Sequence, residues 1–211
     1  MGENKVKIIL NFFCKMKEII IVSDNPGKIK EYQDKLKSYK LIPYKEVLPI
    51  EHIPEEEDTF KANAFIKADT VFRILKKPCL ADDSGLIVDA LPNELGVHSK
   101  RFSEEMTDQA NNQLLLEKLK DIDQRQAKFK TVICLLIPGE HPRFYQGEVK
   151  GKILRKARGN QGFGYDPLFY IEGLNKTLAE MTIDEKNIYS HRAKAIEALI
   201  KDIENENIVV F

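Results

Sequence analysis

The sequence has little of several features that mark particular classes of protein. Among its 211 residues there is no tryptophan, and the three cysteines, Cys14, Cys79 and Cys134, lie far apart without a CxxC pair. This cysteine usage is typical of a reducing compartment, and we expect a cytoplasmic protein. The four histidines form no HExxH motif or cluster, which argues against a zinc site.

An excess of charge of either sign is also missing. The 33 basic residues balance the 33 acidic ones, so neither nucleic acid nor an anionic membrane surface is indicated as a partner. No apolar run approaches the roughly 18 residues that a membrane-spanning helix needs. With 43% hydrophobic residues, the chain can bury one sizeable core.

The first residues do not fit the pattern of the rest. Residues 5–14 resemble a signal peptide only weakly, because Asn11 interrupts a short apolar run and no small-residue cleavage site follows. Met16 begins a cleaner pattern. We therefore expect residues 1–15 to be an N-terminal extension outside the fold, and residues 16–206 to form a single domain.

From residue 18 onward, apolar runs typical of strands alternate with segments of helical periodicity, which predicts an α/β fold. Asn25 is the predicted N-cap of the first helix and Pro26 its first residue. The predicted strands cover residues 18–23, 40–44, 79–81, 86–88, 129–137 and 144–154. The predicted helices cover residues 26–36, 59–76, 107–119 and 190–203.

Two adjacent carboxylates, Asp82 and Asp83, stand where this pattern predicts the end of a strand, before a turn at Gly85. Carboxylate oxygens are ligands that hard cations such as Mg²⁺ prefer. The alternative is an Asx turn between two strands, with no further function. Four acids at residues 55–58 are suited either to a metal or to the dipole of the helix that follows them.

The segment from Ser23 to Lys28 predicts a phosphate-binding turn. A helix start offers free backbone N–H groups and the positive end of the helix dipole, and Lys28 adds a cation. It is not a P-loop, since no glycine-rich stretch leads into it and Ile29 follows the lysine. An ordinary capped helix is the alternative. Lys67 shares a helix face with Asn63, from which it can reach either a phosphate or solvent.

Two later segments supply groups suited to a nucleobase. Residues 159–167 form a glycine-rich loop in which Phe163 or Tyr165 could stack on a planar base, although the pattern is also typical of a hairpin turn. His191 and Arg192 begin the last helix, where positive charge opposes the helix dipole. Their position indicates contact with a base carbonyl or phosphate oxygen, unless they are plain surface charges.

Five motifs occur in an order that is similar to that of one known family. They are Ser-x-Asn-x-x-Lys, Thr-Phe-x-x-Asn-Ala-x-x-Lys-Ala, Ala-Asp-Asp-Ser-Gly-Leu, Gly-Phe-Gly-Tyr-Asp-Pro-x-Phe and Lys-x-x-x-Ser-His-Arg. Together with the interval between Glu55 and Asp83, they resemble the HAM1/inosine triphosphate pyrophosphatase family, from residue 17 to residue 203.

The resemblance implies an elongated, curved, mixed β-sheet flanked by helices, with two lobes around a central nucleotide cleft. It also implies a homodimer that uses Mg²⁺ to hydrolyse ITP, dITP and XTP to the monophosphate and pyrophosphate. Asp83 stands at the position of the general base and metal ligand, and Glu55 and Asp82 stand at the other acidic positions of the metal site. The substrate-contacting positions correspond to Ser23, Asp24, Asn25, Pro26, Gly27, Lys28, Lys67, Ser84, Phe163, Gly164, Tyr165, Asp166, Lys186, His191 and Arg192.

The chain departs from the family pattern at Asp24 and Glu57, which replace glycines, at Ala62, which replaces a glutamate, and at Lys100, which replaces an alanine. These changes leave open whether Glu56 or Glu57 shares the metal site with Glu55. Two other functions also remain open. One is a Maf-like pyrophosphatase that acts on other bases, and the other is a nucleotide-binding module without catalysis.

Overall fold

A computed structural model describes residues 17–51 and 53–205. The predicted N-terminal extension, residues 1–15, lies outside the described residues, as do Cys14 and His52. The strands are β1 (Lys17–Val22), β2 (Tyr39–Pro43), β3 (Cys79–Val88), β4 (Gln126–Leu136), β5 (Arg143–Ile153), β6 (Phe169–Ile171) and β7 (Lys176–Thr177). The α-helices are α1 (Pro26–Lys35), α2 (Phe60–Leu75), α3 (Asp108–Lys118), α4 (Ile183–Tyr189) and α5 (His191–Asn205).

The strands form one seven-stranded sheet in the order β2-β1-β3-β4-β5-β6-β7. Strand β1 runs parallel to both of its neighbours, β2 and β3, while every other pair is antiparallel. A parallel pair needs a crossover, and α1 and α2 supply the two crossovers here. The predicted α/β fold, a mixed sheet flanked by helices, is confirmed.

The helices cover both faces of the sheet around β1. Alternate residues of a strand point to opposite faces, so Ile19 and Ile21 pack with α1 and α5, while Ile20 and Val22 pack with α2. A third apolar cluster, which includes Leu86, lies under the far half of the sheet. The core therefore has one part around β1 and another beyond the middle of β3.

The prediction of two short strands around a turn at Asp82 and Asp83 is wrong. Strand β3 is continuous from Cys79 to Val88 and pairs with β4 along its whole length, with Asp82 opposite Ile133 and Asp83 opposite Val132. The Asx turn that we considered for this segment is excluded. Aspartate and glycine are depleted in strands, but the long β4 partner holds them in the sheet here.

Strand β1 ends at Val22, opposite Ala81, so among the described residues the rest of β3 has no strand neighbour on that side. A crevice therefore opens beyond the carboxyl end of β1, the position at which open α/β sheets bind ligands.

Within the described part of the chain, no helix is both long and apolar enough to cross a membrane.

Candidate active site

The crevice is a cleft of about 730 Å³ that brings together predicted site residues from five segments of the chain, within 23–28, 55–67, 83–84, 163–166 and 186–192. Of the predicted site residues, Pro26, Gly27 and Asp82 are not among those that line it. The predicted site residues that line it are Ser23, Asp24, Asn25, Lys28, Glu55, Lys67, Asp83, Ser84, Phe163, Gly164, Tyr165, Asp166, Lys186, His191 and Arg192.

The turn from β1 into α1 (residues 23–28, the phosphate turn) is held by its own cap. The Asn25 side chain accepts hydrogen bonds from the backbone N–H groups of Gly27 and Lys28, at 2.9 and 3.2 Å. Pro26 occupies the first helical position as predicted. The cap fixes the turn so that the Lys28 side chain extends into the cleft.

Asp24, which departs from the family pattern, is paired with side chains from the segment after β2. Its Oδ2 accepts a hydrogen bond from the Tyr44 hydroxyl at 3.1 Å and lies 3.1 Å from Lys45 Nζ. Lys45 therefore offsets the extra negative charge at the phosphate turn. The pair is about half exposed, so its contribution to stability is small.

Asp82 points from β3 toward α1 and α5 and lies among cations. Its Oδ2 accepts a hydrogen bond from Arg192 Nε at 3.1 Å, and its Oδ1 lies 3.3 Å from Lys28 Nζ. Burial alone would raise the pKa of this carboxyl, but Lys28, Arg192 and Lys67 together hold it well below its usual value. Both Asp82 oxygens thus face cations in this structure, and the metal-site position that the family pattern implies for Asp82 stays a prediction.

Glu31 lies between Arg192 and Lys186 and contacts both. We did not predict it as a site residue from the sequence. Arg192 Nη1 donates to Glu31 Oε2 at 2.6 Å, and Lys186 Nζ lies 3.0 Å from Glu31 Oε1. Lys186 also donates to Asp166 Oδ2 at 2.7 Å. Burial would raise the pKa of Glu31, but Arg192 and Lys186 lower it below its usual value. The site thus contains a buried chain of alternating charges.

This network explains the unusual start of α5. Arg192 is only 1% exposed, and its guanidinium also donates to Ser84 Oγ at 2.9 Å. It is therefore not a surface charge, the alternative that we considered. His191 stacks on Phe129, with ring centroids 4.7 Å apart and planes inclined by 12°. Burial lowers the pKa of His191 well below its usual value, so the imidazole is neutral.

Asp83 points to the opposite face of the sheet from Asp82, toward α2. Its Oδ2 accepts from Asn63 Nδ2 at 3.0 Å, and its Oδ1 accepts from the Ser84 N–H at 2.8 Å. Burial raises the pKa of Asp83 to about 6, because the charges of Lys67 and Lys28 offset the loss of hydration only in part.

Asn63 is a second residue that we did not predict as part of the site, although its motif was noted. It is fully buried, and it exchanges two hydrogen bonds with the backbone of Glu57, at 3.0 and 3.1 Å. These bonds fix the amide so that its Nδ2 faces Asp83. A buried asparagine one helical turn before a lysine is the signal that could have identified it.

Lys67 lies between the two aspartates and the acidic segment. Its Nζ donates to the backbone oxygen of Asp82 at 2.6 Å and lies 3.1 Å from Glu55 Oε1. Glu56 also lines the cleft. No group of three or more histidine, cysteine or acidic side chains that could hold a metal is present among residues 17–51 and 53–205.

The glycine-rich segment (residues 159–167, the base loop) closes the other side of the cleft. The Tyr165 hydroxyl donates to the Ser99 backbone oxygen at 2.7 Å, and Gly164 N–H donates to Asp108 Oδ2 at 2.6 Å. Tyr165 is therefore an anchor. The half-buried Phe163 presents its ring to the cleft, with Lys186 Nζ 4.6 Å from the ring centroid. Of the two aromatic residues, Phe163 is placed to stack on a base.

Comparison with known proteins relates the whole described fold to one family. Residues 19–202 match the Ham1 family. The chain is 43% identical to a dITP/XTP pyrophosphatase of Bacillus subtilis over 194 residues, which cover 90% of this chain and 98% of the relative. It is 41% identical to a dITP/XTP pyrophosphatase of Thermus thermophilus over 189 residues, which cover 87% and 90%.

Solved structures give the same result. The Staphylococcus aureus Ham1 protein is 39% identical, with a TM-score of 0.83, over 90% of this chain and 100% of that one. A HAM1 protein from Coxiella burnetii is 38% identical, with a TM-score of 0.82, over the same shares of the two chains. From its fold and its sequence alike, the chain belongs to the Ham1 family.

Proposed function

We propose that the protein is a nucleoside triphosphate pyrophosphatase that hydrolyses ITP, dITP and XTP to the monophosphate and pyrophosphate. Relatives about 40% identical over most of the chain are named dITP/XTP pyrophosphatases. The observation that carries the proposal is Asp83, a buried carboxylate with a raised pKa in a cleft that also contains Lys28 and Lys67.

Asp83 is the general base. A base works best when its pKa lies near the operating pH, and in the metal-free site burial raises the pKa of Asp83 toward that range, to about 6. Asn63 and the Ser84 N–H hold the two carboxylate oxygens in place. In this orientation Asp83 accepts a proton from the water that attacks the α-phosphorus.

Lys28 and Lys67 bind the triphosphate and meet the charge of the departing pyrophosphate. Both side chains are largely buried and reach the same end of the cleft. Fixed cations in a partly dehydrated site stabilise developing phosphate charge more strongly than they do in water. The N–H groups of Gly27 and Lys28 are bonded to Asn25, so at the start of α1 it is the positive end of the helix dipole that favours an anion further.

The oxygen donors present fit Mg²⁺. This ion is usually held by one or two carboxylates, with water and substrate phosphates completing its shell, so a third acid is not needed. We propose Asp83 and Glu55 as the ligands, with Glu56 on the same wall of the cleft. When bound, the ion draws charge from the phosphate oxygens and lowers the pKa of nearby water.

Asp82 has a different role in this proposal. Both of its oxygens face cations, so it orients Lys28 and Arg192 instead of binding the metal. An ionised Asp82 also keeps the two positive groups from repelling one another. This revises the assignment of Asp82 that the family pattern implied.

The base end of the cleft selects a 6-oxo purine. Phe163 supplies the stacking surface, while Arg192 and Lys186 are donors only. A purine with an oxygen at position 6 accepts from them, whereas adenine presents an amino donor there, so its donor and the facing N–H donor have no acceptor between them. Such a mismatch discriminates strongly when the groups are buried.

The assembly and location that we propose follow the family pattern: a homodimer in the cytoplasm. The free, buried thiols of Cys79 and Cys134 are in keeping with a reducing compartment. Sedimentation of the purified protein tests the dimer, and a single species with the mass of one chain would contradict it.

The proposed function is tested by pyrophosphate release with Mg²⁺ from ITP, XTP, ATP, dTTP and UTP. We expect turnover of ITP and XTP with kcat/KM at least ~100-fold above that of ATP, a ratio within reach of polar recognition. Preference for dTTP or UTP would favour the Maf-like alternative. Binding of ITP without pyrophosphate release would favour a non-catalytic module.

A further inference from the structure

Gly27 is a glycine whose backbone does not require one. It is the second residue of α1, and it is not among the glycines with positive φ. Alanine is a better helix former than glycine by roughly 1 kcal/mol. The backbone N–H of Gly27 donates to the Asn25 side chain, and any residue except proline would supply that N–H.

The contact of position 27 with Phe163 of the base loop explains why a glycine is found there. A Cβ placed on Gly27 would lie 2.6 and 2.7 Å from Cδ1 and Cε1 of Phe163. These distances are shorter than van der Waals contact, so a side chain at position 27 and the present position of the ring exclude each other. The edge of the Phe163 ring rests directly on the phosphate turn.

The backbone of the base loop is held in place, so the Phe163 ring is the part that would move. Phe163 N–H donates to Asp166 Oδ2 at 2.9 Å, and the neighbouring Gly164 is held through both its N–H and its carbonyl oxygen by α3. The opposing turn is fixed by the Asn25 cap. The same Cβ would lie 3.1 Å from Asn25 Oδ1, a milder contact that a small shift of that amide relieves. With both backbones held, the severe clash is relieved by rotation of the Phe163 side chain.

The ring also touches the groups proposed to read the base. Its centroid lies 4.6 Å from Lys186 Nζ and 5.9 Å from the Arg192 guanidinium carbon. Phe163 thus contacts the phosphate turn and the base donors at once.

We propose that Gly27 is a positioning residue for base selection. By lacking a side chain, it seats the ring of Phe163 and couples the phosphate turn to the base loop, so that the stacking surface lies correctly beside Lys186 and Arg192. The substrate assignment in this inference rests on the proposed function, whereas the seating of the ring does not.

The kinetic test is Gly27→Ala, with Gly173→Ala as the matched control, because a Cβ at Gly173 meets nothing within 4 Å. We expect Gly27→Ala to lower the ratio of kcat/KM for ITP over ATP about tenfold, or ~1.4 kcal/mol, without lowering Tm. In a Phe163→Ala background the same change should have no further effect. A tenfold loss in that background as well would show that the turn itself is damaged, and would overturn the inference.

A second test does not depend on activity. The chain has no tryptophan, so Phe163→Trp introduces a single fluorophore. Adding Gly27→Ala should shift its emission to longer wavelength and increase its quenching by acrylamide, while adding Gly173→Ala should change neither. Unchanged emission would refute the seating of the ring. Failure of the wild type to hydrolyse ITP would refute the proposed function and leave this result standing.

Discussion

Asp82 and Asp83 are neighbours in β3, yet the two faces of the sheet give them opposite properties. On the face covered by α1 and α5, Asp82 meets Lys28 and Arg192, and its pKa is held well below the usual value. On the α2 face, Asp83 meets the neutral Asn63, and burial raises its pKa to about 6.

The different surroundings of Asp82 and Asp83 show how one strand can carry two acids with separate roles. Strand alternation sends consecutive side chains into different environments, and the surrounding helices decide what each carboxylate meets. Asp82 becomes a fixed charge that orders cations. Asp83 becomes a group that can gain and lose a proton near neutral pH.

The largest expected effect comes from removing the base. Asp83→Asn keeps the size of the side chain but cannot accept the proton, so kcat for ITP should fall by about 10²–10⁴-fold. Pyrophosphate release measures this directly. Undiminished kcat in a folded Asp83→Asn protein would rule out Asp83 as the base.

On the other face the expected loss is one of stability. Asp82→Asn leaves Lys28 and Arg192 buried without their shared anion, and breaking such a pair costs ~3–5 kcal/mol of unfolding free energy. Urea denaturation measures the loss. The control is Asp123→Asn, which removes a partner of Arg155 on the surface and should cost less than ~1 kcal/mol. Equal losses in the two variants would contradict the claim that Asp82 holds a buried group of cations together.

On the Asp83 face we expect a smaller change in the unfolding free energy, and one of the opposite sign. The folded protein binds the Asp83 proton more tightly than the unfolded chain, so Asp83 lowers stability as pH rises from 3.8 to about 6. Without metal, Asp83→Asn should therefore be more stable than wild type by ~1–3 kcal/mol near pH 8, and the gain should shrink toward pH 5. Thermal unfolding with a chelator tests this, and a gain that grows toward acid would contradict it.

The smallest effect is expected at Asp24, the half-exposed aspartate of the phosphate turn. Asp24 and Lys45 are about half exposed, so Asp24→Asn should change the unfolding free energy by less than ~1 kcal/mol, and salt should reduce the difference further. Urea denaturation at low and high salt measures it. A loss as large as that of Asp82→Asn would mean that burial does not separate these carboxylates.

Local signals in the sequence predicted much of this arrangement. Asn25 and Pro26 mark the start of α1, as predicted. This signal depends on residues a few positions apart, so local sequence suffices. The alternation of apolar segments likewise predicted the α/β class.

The failures concern contacts between distant segments. Asp-Asp-Ser-Gly is typical of a turn, and only pairing with β4 makes it part of a strand. In the sequence, Glu31 has the pattern of an ordinary polar residue of α1. Only the packing of α5 against α1 places Arg192 beside it. Nor did the sequence assign different faces to Asp82 and Asp83, because the predicted turn removed the alternation that separates them.

The pKa values of the adjacent carboxylates Asp82 and Asp83 are shifted in opposite directions, and NMR measures this difference directly. Titration of ¹³C-labelled aspartate carboxyls in the metal-free protein, assigned with Asp82→Asn and Asp83→Asn, reports each group separately. We expect Asp83 to titrate with a pKa of about 6, while Asp82 remains ionised until the protein unfolds in acid. Two carboxyls that both titrate near the usual value of about 4 would contradict it.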